Sequence, residues 1–282
     1  MTDRTLQSVI EEIEKIPVLP AVVARVMAMT RDPDCSADDL TAVVSSDQGL
    51  TANLLKLCNS PFYGLPRTIS SLRQAVMYLG FHTLRNLVLT AVMHDMFRGE
   101  GEGYGFEAGG LWKHSVATAM AAQILSRRVR PAVLDTAFTA GLLHDVGKVV
   151  MRRALSAEFP KIEAVMREEG IPLVEAERKV VDCDHAEVGA KIGGRWNFPQ
   201  DLIDAIGYHH RPEEAQGRPI IALMTHVANC IALRGGHGII GEAVEEIPSE
   251  VALQAIGLSL EDLDEVTERV NEAVQGATEF WS

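Results

Sequence analysis

Apolar residues recur along this chain with the period of an amphipathic α-helix. In the first segment, Leu6, Val9, Ile10 and Ile13 follow the spacing that places side chains on one helical face. Residues 36–39 (SADD) resemble a capping box, and residues 259–262 (SLED) resemble a helix cap. No segment alternates apolar and polar residues as a half-buried strand does. The pattern therefore predicts an all-α fold, with further helices over residues 20–30, 50–58, 71–80, 82–97, 111–129, 131–144, 160–169, 172–181, 185–196, 200–209, 219–233 and 259–276.

A glycine-rich stretch separates these predicted helices into two groups. Residues 98–110 contain six glycines in thirteen positions, a composition typical of flexible connections. The sequence predicts a helical bundle with two lobes: residues 1–98, a linker over residues 99–110, and residues 111–282.

Composition narrows the class of protein. The 282 residues are 47% hydrophobic and 23% charged, and the formal net charge is −13. No apolar run approaches the ~20 residues of a membrane span, and the N-terminal residues lack the character of a secretory signal. The four cysteines are scattered without CxxC spacing, which indicates reduced thiols and, with the missing signal, a cytoplasmic protein without membrane contact.

The acidic balance also bears on partners. A net negative charge repels nucleic acid in bulk, because the phosphate backbone dominates that affinity. It therefore disfavours a DNA-reading interpretation of the turn at residues 79–81, which lies between two predicted helices.

A His-Asp pair is the first candidate for chemistry. His144 and Asp145 follow an apolar run and precede Gly147 and Lys148. Adjacent side chains on a helix point about 100° apart, so both reach one object only near a helix end or bend. Gly147 would supply that bend through its conformational freedom. An imidazole beside a carboxylate suits Mn, Fe, Ni or Zn better than Ca or Mg.

Further histidines lie at predicted helix ends, where side chains from several helices can converge in one cleft. Asp184 is a potential cap for the helix that begins at His185. The alternative is that these histidines are ordinary polar residues at helix ends. The pattern predicts a divalent-metal site with one or two ions, formed by His114, His144, Asp145, His185, His209 and His210.

This order of residues resembles the HD superfamily of metal-dependent phosphohydrolases, and within it the HDOD (HD-related output) domain, a relative of the HD-GYP branch. The resemblance covers about residues 10–235. It implies an HDOD-type N-terminal bundle followed by an HD-like bundle that carries any metal site. The supporting phrases are IPVLP at 16–20, DQGLT at 47–51, LCNSPFYG at 57–64, AVMYLG at 75–80, HAEVGA at 185–190 and RWNFP at 195–199.

The chain departs from active members of that superfamily in two places. Asn229 stands where an active HD enzyme carries its last aspartate ligand, and an amide is a weaker ligand than a carboxylate. The glycine-tyrosine-proline loop of the cyclic-di-GMP hydrolases is absent after His210. These departures favour a signalling output module that binds metal with weak or no catalysis. It would act through a protein partner, for which Phe62 and Tyr63 form a candidate contact, or sense a small ligand.

Two other functions remain open. An active metal-dependent phosphohydrolase would act on a nucleotide or other phosphoester, with Asp145 as ligand and Lys148 holding a phosphate oxygen. Lys148 fits equally a lysine that favours a helix C-terminus. For Glu177 and His226, a solvated helix face and a bond to a neighbour are favoured over ligation. The third function is that of a purely structural helical protein with incidental histidines.

Overall fold

The computed structural model describes residues 2–15, 21–29, 35–59, 65, 67–97, 109–130, 133–216, 219–238 and 247–278. Every regular element in these residues is helical, which confirms the predicted all-α fold. None of the described helices is long and apolar enough to cross a bilayer. In chain order the helices are α1 (Thr2–Lys15), α2 (Ala21–Met29), α3 (Ala37–Ser45), α4 (Gln48–Cys58), α5 (Leu72–Leu79), α6 (Phe81–Phe97), α7 (Gly110–Val129), α8 (Leu134–Leu143), α9 (Val146–Ala154), α10 (Phe159–Glu169), α11 (Leu173–Val181), α12 (His185–Arg195), α13 (Gln200–Tyr208), α14 (Pro219–Ala232), α15 (Glu250–Ile256) and α16 (Leu260–Thr278).

The chain divides into two compact units. The larger comprises residues 1–16 and 97–271, and the smaller comprises residues 17–96 and 272–282. Helix α1 thus belongs with the larger unit, whereas the sequence-based division placed residues 1–98 together. Most of the expected linker, and the loop with Phe62 and Tyr63, lie outside the described residues. The three-part division of the chain therefore stays a prediction.

The capping box predicted at residues 36–39 is present in the smaller unit. The Ser36 hydroxyl accepts a hydrogen bond from the Asp39 backbone N–H at 3.2 Å, and the Asp39 carboxylate accepts one from the Ser36 N–H at 3.0 Å. This reciprocal pair satisfies two donors at the start of α3. Asp47 and Ser71 cap α4 and α5 through their side chains.

The larger unit is built around α7, which is buried along most of its length. Helices α8 and α14 pack against it, and α12 packs against both α9 and α13. Helices α9 and α15 were not predicted from the sequence.

Helix α9 approaches α12 closely at Gly147. A Cβ atom on Gly147 would lie 1.9 Å from the backbone oxygen of His185 and 2.8 Å from the nitrogen of Gly189. Gly147 is an ordinary helical residue of α9 and is not among the glycines with positive φ. The predicted reason for this glycine, a bend that needs its freedom, was therefore wrong. The residue is small because two backbones touch there.

Candidate metal centre

His144 and Asp145 form the junction between α8 and α9. His144 ends α8, and Asp145 takes backbone angles (φ −97°, ψ 11°) that interrupt the helix before α9 begins at Val146. This break lets two adjacent side chains face one region, which a continuous helix would not allow. Both are buried, at 0% and 1% exposure.

Four imidazole rings are each held in position by a hydrogen bond at Nδ1. In each, the Nδ1 atom lies at hydrogen-bond distance from a carbonyl or carboxylate oxygen, which accepts, so Nδ1 carries a proton; in the neutral ring Nε2 then keeps its lone pair. Such outer partners orient a histidine for metal binding. The pairs are His114 Nδ1 to His237 O at 3.0 Å, His144 Nδ1 to Gly141 O at 2.8 Å, His209 Nδ1 to Ile206 O at 2.7 Å and His185 Nδ1 to Glu177 Oε2 at 2.7 Å.

The Nε2 atoms of these four rings converge on the Asp145 carboxylate. Its Oδ2 atom lies 3.4 Å from the Nε2 atoms of both His114 and His144. Its Oδ1 atom lies 3.4 Å from His185 Nε2 and 3.8 Å from His209 Nε2. Asp145 is therefore placed between two groups of histidines, with one oxygen towards each.

The first group consists of His114, His144 and Asp145, and the second of His185, His209 and His210. Within each group the potential ligand atoms lie within 4.8 Å of one another. The structure thus brings together all six residues that the sequence singled out as metal ligands. That they ligate an ion stays a prediction.

The lone pairs in these groups form a donor set that a cation could occupy. His114 Nε2 and His144 Nε2 face each other at 3.1 Å, and neither carries a proton when Nδ1 does. Burial lowers the pKa of His114 to about 4 and that of His144 to about 3, so both are neutral at pH 7. In the described residues, His209 Nε2 and Asp145 Oδ1 are buried without a hydrogen-bond partner. Imidazole nitrogens with one carboxylate suit a divalent transition metal, and the donor set therefore fits such an ion.

Charged neighbours shift the pKa values of Asp145 and His185 away from those that burial alone would give. Burial alone would raise the pKa of Asp145, but His144 and the Lys148 ammonium, 2.8 Å from Oδ2, hold it well below its usual range. Burial alone would lower the pKa of His185, but the charge of Glu177 raises it above its ordinary value. The centre is therefore charged from within by one lysine and two acids.

The structure decides between alternatives for three further residues. Glu177 and Lys148 depart from an alternative that the sequence offered, and His226 agrees with the favoured one. Glu177 does not lie on a solvated helix face, because it is fully buried. Its carboxylate accepts hydrogen bonds from the backbone N–H (3.0 Å) and from Nδ1 of His185, and it is not shown as a ligand. Lys148 lies in the first turn of α9, so its expected alternative at a helix C-terminus was wrong. His226 bonds neighbours, as favoured: its Nδ1 donates to His209 O at 2.8 Å, and its Nε2 accepts from the Ser249 N–H at 3.2 Å.

The site is closed to solvent on most sides. His114, His144, Asp145, His185, His209 and Lys148 are each at most 2% exposed. His210 is the half-buried member, and its Nε2 lies 2.8 Å from that of His185. Asn229, at the position of the missing aspartate, is 4% exposed and its Oδ1 has no hydrogen-bond partner in the described residues.

Sequence reasoning missed the groups that hold the imidazoles. The backbone oxygen of His237 lies in a π-type turn (Leu233–His237) after α14, and a carbonyl leaves no mark in a sequence. Glu177 lies eight residues before His185 on a separate helix, and an isolated acid gives no signal of burial.

A family model and a solved structure both relate this chain to HDOD domain proteins. The model of the HDOD domain family matches residues 16–212. A crystal structure of an HDOD domain protein of unknown function from Geobacter sulfurreducens superposes with a TM-score of 0.80 at 29% identity, covering 97% of this chain and 98% of that one. An uncharacterized protein from Treponema pallidum (strain Nichols) is 29% identical over 226 residues. Those residues are 78% of this chain but 43% of that protein, so the chain spans less than half of that relative.

A named enzyme is also similar in part. Ribonuclease Y from Thermus thermophilus is 29% identical over 150 residues, which are 52% of this chain and 20% of the enzyme. Most of that enzyme therefore has no counterpart in this chain.

Proposed function

The chain belongs to the HDOD domain family, as its resemblance implied, and we propose that it is a signalling output module with an HD-like metal site and weak or no catalysis. The observation that carries the proposal is the closure of the centre. Five of the six candidate ligands are at most 1% exposed. Ligands buried to this extent leave little surface through which a substrate could reach an ion bound among them.

The candidate ligands would supply two kinds of donor atom to an ion. His114, His144, His185, His209 and His210 would bind through nitrogen and Asp145 through oxygen. A divalent transition metal, Fe, Mn, Ni or Zn, supplies a concentrated positive charge and Lewis acidity when bound. Glu177 fixes the ring of His185 and makes it a stronger donor, while backbone carbonyls fix the rings of His114, His144 and His209.

A protein partner and a cytoplasmic location complete the proposal. No disulfide joins the four cysteines, all of which lie in the described part of the chain, and Cys58, Cys183 and Cys230 are buried. This usage fits a reducing compartment. A centre with little access for substrate exerts its effect through the surface of its own unit, and hence through another protein that contacts it.

A metal-dependent phosphohydrolase is the second candidate function. Its support is the position of Asp145, which offers one oxygen to each histidine group as a bridging carboxylate does. Lys148 would hold a phosphate oxygen of a nucleotide or other phosphoester if it left Asp145. The partial similarity to a ribonuclease also favours phosphoester chemistry. This function requires the centre to open.

The metal content of the untagged protein, purified without added metal, tests the proposal. We expect one to two equivalents of Fe, Mn, Ni or Zn by elemental analysis, lost in His144→Ala. His94→Ala is the matched control, because His94 lies on α6 in the smaller unit, and should keep the metal. Metal-free wild type that also fails to take up added cation would contradict both metal-based functions.

The same preparation separates the two functions. The loaded protein is assayed against phosphomonoesters, cyclic and linear dinucleotides, and RNA. Absence of turnover with metal bound supports the output module. Turnover that disappears in Asp145→Ala establishes the phosphohydrolase instead.

A further inference from the structure

The carbonyl oxygen that orients His114 lies in an irregular stretch of backbone. It belongs to His237, the last residue of the π-type turn Leu233–His237, and it accepts from His114 Nδ1 at 3.0 Å. Gly236, the residue before it, has a φ of 77°, in the left-handed region that favours glycine. Because helical backbone angles are interrupted at Gly236, the regular geometry of α14 does not by itself fix the direction of this carbonyl.

Side chains of α16 hold this turn at both ends. At its end, Nε2 of His237 donates to Oδ1 of Asn271 at 2.7 Å. At its start, Nε and Nη2 of Arg234 donate to Oδ1 of Asp264 at 3.0 and 2.7 Å. Asp264 and Asn271 are seven residues apart in α16, so they lie on one face of the helix, two turns from each other.

Of these two attachments, the one at Asn271 acts on the carbonyl that holds His114. The ion pair at the start of the turn has side chains that are 38% and 68% exposed, and such a pair contributes little. Nδ1 of His237 is buried without a hydrogen-bond partner in the described residues, so within them the ring depends on Asn271. The side chain of Asn271 also lies close against the turn, since a Cβ on Gly235 would be 2.7 Å from its Oδ1.

We propose that Asn271 is a positioning residue of the metal centre. It holds the ring of His237 and, through that residue, the carbonyl oxygen that orients the ring of His114 for an ion. An imidazole binds metal well when an outer partner fixes its tautomer and its direction. This inference rests on the proposed metal-binding function and adds α16 to the elements that support the centre.

The affinity of the full chain for Co²⁺ tests the proposal. Co²⁺ is titrated into metal-free protein in competition with a chelator, and its visible absorption reports the ligands. Asn271→Leu removes the acceptor at similar size. The direct partner of an imidazole is worth about 10–100-fold in affinity, and Asn271 acts one contact further out, so we expect a loss of about three- to tenfold.

Two further variants of α16 serve as controls for this loss. Asn271→Asp keeps an acceptor oxygen for His237 and should retain at least about half of the wild-type affinity. Glu268→Leu introduces the same side chain at an exposed position of α16 and should stay within about twofold of wild type. Rescue by aspartate separates loss of the acceptor from a general effect of substitution at Asn271.

The Nδ1 proton of His114 gives a readout that needs no metal. Its hydrogen bond to the His237 carbonyl should make it a slowly exchanging signal in ¹H–¹⁵N NMR spectra of the metal-free protein, assigned by its absence from His114→Ala. We expect faster exchange with water in Asn271→Leu and wild-type exchange in Asn271→Asp and Glu268→Leu. Circular dichroism verifies that each variant is folded.

A double variant tests whether the contacts act in series. His237→Ala removes the ring between Asn271 and the turn, so adding Asn271→Leu should cost no further affinity. Additive losses would overturn the proposal, as would Asn271→Leu that matches Glu268→Leu in affinity or in the exchange of the His114 proton. No uptake of Co²⁺ by wild type would instead refute the proposed metal-binding function, and the NMR comparison would still decide the role of Asn271.

Discussion

Glu177 is the residue whose removal tests the construction of the centre most directly. It is fully buried, and its Oε2 accepts two hydrogen bonds from His185, at 3.0 Å from the backbone nitrogen and 2.7 Å from Nδ1. Glu177→Ala leaves both donors without this acceptor in a place that water reaches poorly. Glu177→Gln keeps one acceptor oxygen of similar shape and removes only the charge.

The magnitude follows from these two contacts. A buried donor left unpaired costs about 1–3 kcal/mol, so the two donors of His185 cost roughly 2–6 kcal/mol in Glu177→Ala. That is a large share of the ~5–15 kcal/mol that holds an ordinary domain together. Glu177→Gln should lose about 1 kcal/mol, the difference between a charged and a neutral acceptor. With His185 no longer oriented, metal affinity should also fall about 10–100-fold in the alanine variant.

Urea unfolding followed by circular dichroism measures the first effect, and competition with a chelator measures the second. Glu175→Ala is the matched control, because Glu175 lies on the same helix and is exposed. The expected order of stability is Glu175→Ala, then Glu177→Gln, then Glu177→Ala. An alanine variant at Glu177 that unfolds at the same urea concentration as the control would refute the assigned contacts.

Two further predictions follow from packing. Gly147→Ala would place a Cβ 1.9 Å from the His185 backbone oxygen, so α9 and α12 must separate. We expect the free energy of unfolding measured in urea to fall by at least about 3 kcal/mol. The control Gly194→Ala should change it by no more than about 1 kcal/mol, because a Cβ there would meet nothing within 4 Å. Equal stabilities would contradict the close approach. Burial raises the pKa of the Cys58 and Cys183 thiols to about 11, so both should be protonated at pH 8 and alkylate far more slowly in the folded protein than in urea. Mass spectrometry of peptides after iodoacetamide measures this, and rapid labelling of either thiol in the native state would contradict it.

The histidine pattern was predictable because each member lies at a helix end. His114 lies in the second turn of α7, His185 begins α12, and His209 and His210 follow α13, so their placement follows from the helix boundaries. Helical periodicity gives the direction of a side chain relative to its own helix. Because several of these positions lie near helix ends, their side chains are expected to converge on one region.

What the sequence did not reveal are contacts between elements. The fit of Gly147 against the backbone of His185 depends on how closely α9 and α12 approach, which no property of residue 147 alone records. Helix α9 itself was missed, because the interruption at Asp145 and the short length of the segment hide its period. The charge on Lys148 acquires its meaning only when Asp145 is known to lie 2.8 Å away and both are buried.

A closed metal site can regulate without turning over a substrate. His114 comes from α7, Asp145 from the junction of α8 and α9, His185 from α12, and His209 and His210 from the end of α13. A bound ion would tie these separate elements together, and its free energy of binding would add directly to the stability of the unit that contains them. Occupancy would then change how readily the helices of the larger unit move apart. A partner that binds one arrangement better than the other would read that occupancy through differential affinity, the only means by which a ligand shifts such an equilibrium.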